Sequence, residues 1–445
     1  MPSEPQTLAF DPANAGAALA QLPQTPAVFA LYGEEAHFEP YIGRTPNLRG
    51  RLERLLQPSA KHPRRLQLAG RVRRIEWRLT GSEFESLLTQ FSLLEEIYGA
   101  KALERMHLRH PAFIRFLGSN AYPRITVTHR PSLREAEWAY GPVPSRAAAE
   151  RYADEALKLF LLRRCTDDLD PNPSHPGCVY SEKKMCLAPC YQGCTDERYS
   201  QEAAAVESFL ATRGESRLVV LRGERDQASA NLEFETAAAI HAQVAKVESV
   251  RALAAELVRP LNRLQAVILQ ASANPDEVAV FLFENARLRG PVGFSTLGMR
   301  IQNEQSGSTS LFAQPLAMEP ILETGSSDQG TGIKEQQAGD GEIAETEEAG
   351  SIPAGIAPKR KMARGVLEAR MEAALAELAE PGGAPTATLR QGHLALLKRW
   401  YYRPEIRRAG EIFFPDAEDR WPVKALLRGV GRVLGSKFKA PVAGS

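Results

Sequence analysis

The chain has 445 residues, is 43% hydrophobic and 24% charged, and carries a formal net charge of +1 at pH 7. At about 150 residues per domain this length predicts roughly three modules rather than one core. The composition is that of a globular protein and no run approaches the roughly 18 apolar residues of a membrane span. The first residues, MPSEPQTLAFDPANAG, lack the basic and apolar regions of a signal peptide, so a cytoplasmic location without membrane contact is expected.

In chain order, Ala27–Leu31 and Phe38–Ile42 read as two short strands joined by the turn-like Gly33–His37. Leu48–Leu56 has helical spacing, with Asn47 as its N-cap. Arg74–Leu79 alternates like a strand, with Ile75, Trp77 and Leu79 on one face, and Ser82 opens a helix reaching Tyr98. These elements predict a small mixed sheet covered by helices. Ile125–Thr128 adds a strand, and Ala147–Leu161 is a helix leading into a cysteine-rich stretch.

From Ser200 onward the pattern is helical. Glu224–Val250 carries Leu232, Phe234, Ala238, Ile240, Val244 and Val247, and Asn231–Phe234 interrupts it as the tip of an antiparallel hairpin would. Apolar residues at such a tip cannot reach their own core, which favours a partner contact for Leu232 and Phe234 over a packing role. Ala266–Leu269 and Val278–Phe283 form a small β unit. Asn303–Lys359, rich in Gly, Ser, Glu and Gln, predicts a disordered acidic linker. Gly365–Glu380 is amphipathic, and Leu394–Tyr402 and Pro422–Leu434 read as short helices.

Two local concentrations carry chemistry. Between Tyr41 and Thr80 stand Arg44, Arg49, Arg51, Arg54, Lys61, Arg64, Arg65, Arg71, Arg73, Arg74 and Arg78, opposed only by Glu53 and Glu76. Such a patch is the electrostatic footprint of a phosphate backbone, and Arg44, Arg49, Arg71, Arg73 and Arg74 are the candidate DNA contacts. The five cysteines of the chain all fall between Cys165 and Cys194. Cys165, Cys178, Cys186 and Cys190, on a loop-rich segment, suit an iron–sulfur cluster or zinc. A disulfide framework belongs to small secreted domains, which this chain does not resemble.

The order of motifs resembles the UvrC family of excinuclease proteins. Tyr41-Ile42-Gly43 followed by Asn47–Leu52 is similar to its GIY-YIG nuclease domain, Tyr122–Thr126 to its SYPYIKIT stretch, and Gly141–Ser145 to its FGPYPS. The cysteine steps of thirteen, eight and four, ending in Cys186-Leu187-Ala188-Pro189-Cys190, match its cluster site. Ala228–Val244 is similar to its UVR motif, and RWYYRPEIRRAGEIFFP resembles the end of its small β domain.

The resemblance implies a nucleotide-excision repair protein acting on damaged DNA with a UvrB-like partner docked on the UVR hairpin. It further implies a 4Fe-4S cluster on Cys165, Cys178, Cys186 and Cys190, with Cys194 spare. Tyr41 matches the tyrosine that activates or positions the nucleophile, Arg51 the arginine on the phosphate, and Arg44 a basic residue that contacts phosphate. Three positions depart from the family. Phe29 replaces its first tyrosine, Gln90 its metal-binding glutamate, and Phe113 its asparagine. An amide in place of a carboxylate loses a full charge opposite a divalent ion such as Mg²⁺ or Mn²⁺. Glu83, Glu85, Glu95 or Glu96 could substitute only if the helix register shifted. No carboxylate-bearing second nuclease or helix-hairpin-helix pair is legible downstream.

The expected fold is therefore multidomain α+β. It comprises an N-terminal extension (1–22), a GIY-YIG-like domain (23–105), a Cys-rich segment (106–200) and a UVR hairpin (201–257). A small β unit (258–302), a linker (303–359) and a C-terminal helical segment (360–445) follow. The expected activity is at most one phosphodiester incision. Its rival is a catalytically inactive DNA-binding adaptor.

Overall fold

A computed structural model describes residues 4–34, 39–57, 68, 70–166, 168–297, 364–379 and 385–439. The expected linker, and Lys61, Arg64 and Arg65 of the basic patch, lie outside the described residues. Thr296–Ala363 separates as its own unit, and the rest of the chain forms the other.

Three four-stranded sheets organise this larger unit. The first contains β1 (Gln6–Ala9), β2 (Ala27–Gly33), β3 (Tyr41–Thr45) and β4 (Val72–Leu79) in the order β1-β4-β2-β3. Its pairings are all antiparallel, so the expected mixed sheet is not what forms. The expected N-terminal extension contributes to this sheet. β1 pairs with β4, and Leu19 of α1 (Ala15–Ala20) is fully buried.

Period-two alternation places Phe29, Leu31, Ile75 and Trp77 on one face, where α2 (Leu48–Leu56) covers them with Leu48, Leu52, Leu55 and Leu56. The Asn47 side chain accepts from the Gly50 amide at 2.8 Å, which fixes where α2 begins. Ser82 does the same for α3 (Glu83–Tyr98) through the Glu85 amide at 3.1 Å. α3 lies against β2 and β3, and the short α4 (Ala102–Arg105) follows it.

The second sheet holds β5 (Ala112–Phe116), β6 (Ile125–Thr128), β7 (Ala139–Val143) and β8 (Arg259–Pro260) in the order β6-β5-β7-β8. Ile125–Thr128 belongs to this sheet and not to the first, as its pairing with Ala112–Phe116 dictates. Phe113 is a core residue of this sheet, 1% exposed. α5 (Arg146–Leu157), capped by Ser145, packs on it. The cysteine segment follows, with α6 (Val179–Glu182) inside it. Then come α7 (Asp196–Ala211) and the hairpin of α8 (Glu215–Ala230) and α9 (Phe234–Arg251).

The third sheet contains β9 (Ala266–Ala271), β10 (Glu277–Glu284), β11 (Arg287–Ser295) and β12 (Glu411–Phe413) in the order β11-β10-β9-β12. β12 comes from the far end of the chain to pair with β9. α10 (Arg364–Ala379) and α12 (Val423–Lys439) cover this sheet, and α11 (Ala387–Tyr401) packs on α3. Phe84, Leu88 and Phe91 of α3 share one core with Phe281 and Phe283 of β10 and Leu394, Leu397 and Trp400 of α11. The segments expected as separate modules at 23–105, 258–302 and 360–445 are thus joined by a common interior. No helix among the described residues is long and apolar enough to cross a membrane.

Candidate functional site

β3 is an edge strand, and a cleft of about 780 Å³ runs along it between α2 and the start of α3. Tyr41, Gly43, Arg44, Arg51, Glu83, Ser86 and Gln90 are among its lining residues. Four positions singled out in sequence, Tyr41, Arg44, Arg51 and Gln90, therefore converge. Arg51 Nη2 donates to Tyr41 Oη at 3.3 Å, which orients the phenol and leaves other guanidinium N–H groups for an anion. Phe29 is 1% exposed, and its ring tip lies so close to β3 that a Cβ built on Gly43 would stand 2.7 Å from it. Glycine at 43 is thus a packing requirement of the strand beside Tyr41.

The one carboxylate among the residues lining this cleft is Glu83. It precedes Gln90 by two helical turns, so both face the cleft without any shift of register. Glu83 thus lines the cleft in the register the helix has, and the heptad spacing to Gln90 is the signal for it. Glu83 is not free, however. Arg403 Nη1 and Nη2 donate to its two oxygens at 2.7 and 2.7 Å, and Arg44 Nη1 lies 3.5 Å away. The Arg403 hydrogen bonds, followed by the Arg403 and Arg44 charges, hold the Glu83 carboxyl below its ordinary range against partial burial. Glu85 points elsewhere. It is 5% exposed, accepts from the Gly81 amide at 2.7 Å, and has its carboxyl pushed up to about 7 by burial. Glu95 is within 3.4 Å of Thr386 Oγ1.

Tested against a divalent ion, this arrangement does not fit. Gln90 offers a neutral oxygen, and the carboxylate beside it is already neutralised by two guanidinium groups. Among the described residues no three His, Cys, Asp or Glu side chains stand at metal-ligand geometry.

The remaining patch arginines are dispersed. Arg49 Nε donates to the Leu22 carbonyl at 2.7 Å, fastening α2 to the preceding loop. Arg71, Arg73 and Arg74 are exposed at the start of β4 and do not line the cleft. Arg73 pairs with Glu34 at 3.2 Å, and Arg74 lies 4.0 Å over the Tyr32 ring.

The five cysteines are all unpaired. Burial foremost, with the charges of Cys178, Cys190 and Cys165 adding to it, pushes the Cys186 thiol up. Donors also face them. The Ala188 amide bonds Cys186, the Tyr191 amide bonds Cys190, and Arg163 Nη1 lies 3.7 Å from Cys165 Sγ. Cys190 is buried and Cys165, Cys178 and Cys186 are half-buried; N–H donors at sulfur favour the thiolate, although the four do not stand at metal-ligand geometry. Ala188 and Gln192, both left-handed at φ 54° and 61°, wrap the loop around Cys190. Burial, foremost, pushes the Cys194 thiol up, with the nearby charges of Arg198 and Asp196 acting in opposite directions.

At the hairpin, Val244, Val247 and Val250 are buried while Leu232 is 72% and Phe234 65% exposed. The tip is tight: Leu232 adopts φ 63°, and the Glu233 amide donates to the Ala228 carbonyl at 2.9 Å.

A family model described as the UvrC/Cho excinuclease middle domain matches residues 113–209, the stretch that holds β6, β7, nearly all of β5 and every cysteine. UvrABC system protein C of Alcanivorax borkumensis is 31% identical over 211 residues, 47% of this chain and 34% of that protein. The protein of the same name from Pseudomonas syringae pv. syringae is 30% identical over 246 residues, 55% of this chain and 39% of its own length. That of Haemophilus influenzae is 31% identical over 235 residues, 52% and 38% of the two chains. These matches span between a third and two-fifths of the relatives' length. No solved structure matches the chain. Over about half of its length the chain is similar to UvrC proteins.

Proposed function

We propose that this protein is a UvrC-like nucleotide-excision repair factor. It binds DNA at the β3 cleft, docks on a UvrB-like partner through the hairpin tip, and makes at most a single incision of the GIY-YIG type. The observation that carries this reading is the convergence of Tyr41, Arg44 and Arg51 in one cleft, on a chain similar to UvrC proteins. Arg51 and Arg44 supply guanidinium forks for a phosphodiester, and Arg51 holds the Tyr41 hydroxyl in position beside it. Cys165, Cys178, Cys186 and Cys190 are the residues that would hold a 4Fe-4S cluster, which supplies a cross-link for a segment short of regular structure. Leu232 and Phe234 are the apolar anchors for the partner.

A second reading, a catalytically inactive adaptor with the same fold and partners, is favoured by Gln90 and by the two arginines on Glu83. A nicking assay on damaged duplex, with Mg²⁺ or Mn²⁺ and the partner proteins present, separates the two. Tyr41-dependent nicking supports the enzyme, and intact DNA with retained binding supports the adaptor. Failure to bind DNA at all overturns both. For the cysteines, anaerobically purified protein is expected to absorb in the visible and Cys186→Ala to bleach it. Colourless protein with stoichiometric zinc refutes the iron assignment.

A further inference from the structure

A late segment of the chain reaches the cleft. Arg403, just after α11, grips Glu83 through both carboxylate oxygens, and Glu83 lines the cleft. Three residues on, a 3-10 turn over Glu405–Arg407 presents Ile406 at 94% exposure, the highest of the large exposed hydrophobic side chains among the described residues. The turn is fastened from both sides. Arg408 Nη1 donates to the Tyr401 carbonyl at 3.1 Å, and its guanidinium lies 5.2 Å from the Tyr401 ring centre. Trp400 Nε1 donates to the Ala409 carbonyl at 3.0 Å, and the Arg407 amide to the Pro404 carbonyl at 2.8 Å.

A single exposed apolar side chain is ordinary and means little alone. The setting of Ile406 is not ordinary. It stands on a braced turn, next to the exposed Arg407, and Arg403 ties that turn to a cleft lined by Arg44 and Arg51. A protein-binding patch would surround the isoleucine with further apolar area; here its neighbours in the turn are Pro404, Glu405, Arg407 and Arg408. An apolar tip among guanidinium groups is the chemistry of a wedge that enters between stacked base pairs while cations hold the flanking phosphates.

We propose that Ile406 is a DNA-intercalating wedge, with Arg407 on an adjacent phosphate, acting on duplex whose backbone lies in the β3 cleft. This rests on the reading of that cleft as a DNA site. The wedge unstacks one base step and kinks the duplex away from the inserted side chain, so it would favour steps already weakened by damage.

The test uses the full chain and a duplex carrying 2-aminopurine at successive positions, whose fluorescence rises when its neighbours unstack. Binding of the parent protein is expected to raise the signal at one step. Ile406→Ala should abolish the rise and weaken binding about tenfold, the value of burying most of an isoleucine side chain. Ile406→Phe should keep the rise, and all variants should melt at the parent temperature because the side chain packs on nothing. Arg407→Gln should reduce the slope of log affinity against log salt by about one. An unchanged rise and affinity in Ile406→Ala, or no rise with the parent protein, overturns the wedge. If Arg44→Ala still weakens binding in that case, the cleft reading stands and only the wedge falls. If the parent protein binds no DNA, both fall. A loss confined to association with a UvrB-like protein would make Ile406 a protein contact and also overturns the proposal.

Discussion

Replacing Phe234 by alanine separates partner binding from folding, because the ring is held out by the hairpin rather than used by it. With 65% of the side chain exposed, and a phenylalanine burying about 200 Å² when fully covered, about 130 Å² is available to a partner. At about 25 cal/mol per Å² that area is worth about 3 kcal/mol, on the order of a hundredfold in affinity. The retained Cβ makes this an upper value. Folding stability should change by no more than about 0.5 kcal/mol, as at other exposed positions. Titration calorimetry against a UvrB-like protein at fixed salt reads the first quantity, and urea unfolding of the free protein reads the second. Leu232 sharpens the comparison, since its φ of 63° costs a non-glycine residue about 1 kcal/mol. Leu232→Gly should leave the fold equal or more stable while weakening the complex. A side chain kept at a conformational cost, and used only by a partner, predicts these opposite signs. An affinity for Phe234→Ala within threefold of the parent, or a stability loss as large as the affinity loss, would refute the reasoning.

Glu85 gives a pH signature: its folded carboxyl lies near 7 against 4.5 in the unfolded chain, so the native state binds more protons between these values. Stability should therefore fall as pH rises from about 4.5 to 7 and level off above, by up to about 3 kcal/mol, and Glu85→Gln should flatten this part of the profile of urea midpoints. Gly392→Ala should destabilise the protein by about 2 kcal/mol in the same assay, although alanine is the better helix former. A Cβ there would stand 1.9 Å from the Phe91 ring, where α11 meets α3, and stability equal to the parent would mean that this packing is not formed. Gln90→Glu with Phe29→Tyr should raise metal-dependent nicking by about two to three orders of magnitude over a slow or silent parent, and Tyr41→Phe in that background should remove it. Robust cutting by the unmodified protein, abolished by Tyr41→Phe, would show instead that another carboxylate serves.

Local chemistry was legible in the sequence. Asn47 and Ser82 marked two helix starts because a cap depends only on residues within one turn. Leu232 and Phe234 were legible as a hairpin tip because a short break inside a long helical repeat lets the two halves fold back on each other. The four cysteines could be singled out because residue type and spacing are themselves the signal, whereas Tyr41 and Arg51 were named from the resemblance of their motif to a family's.

What only the tertiary structure decided is pairing at a distance. β1 looked like part of an extension because a four-residue edge strand has too few alternations to register, yet β4 completes it. Ile125–Thr128 could be read as a strand, but its sheet could not, since hydrogen-bond partners leave no mark on local periodicity. Glu411–Phe413, a strand of three residues, becomes the edge of a sheet whose other strands lie far earlier in the chain, for the same reason. The state of the cleft was decided in the same way. Sequence supplied Gln90 and the acidic residues around it, whereas the carboxylate that enters the cleft is set by helix facing and the arginine that captures it comes from position 403. An ion pair between residues 320 apart is a product of the packed core that brings α11 onto α3, and no shorter stretch of the chain contains it.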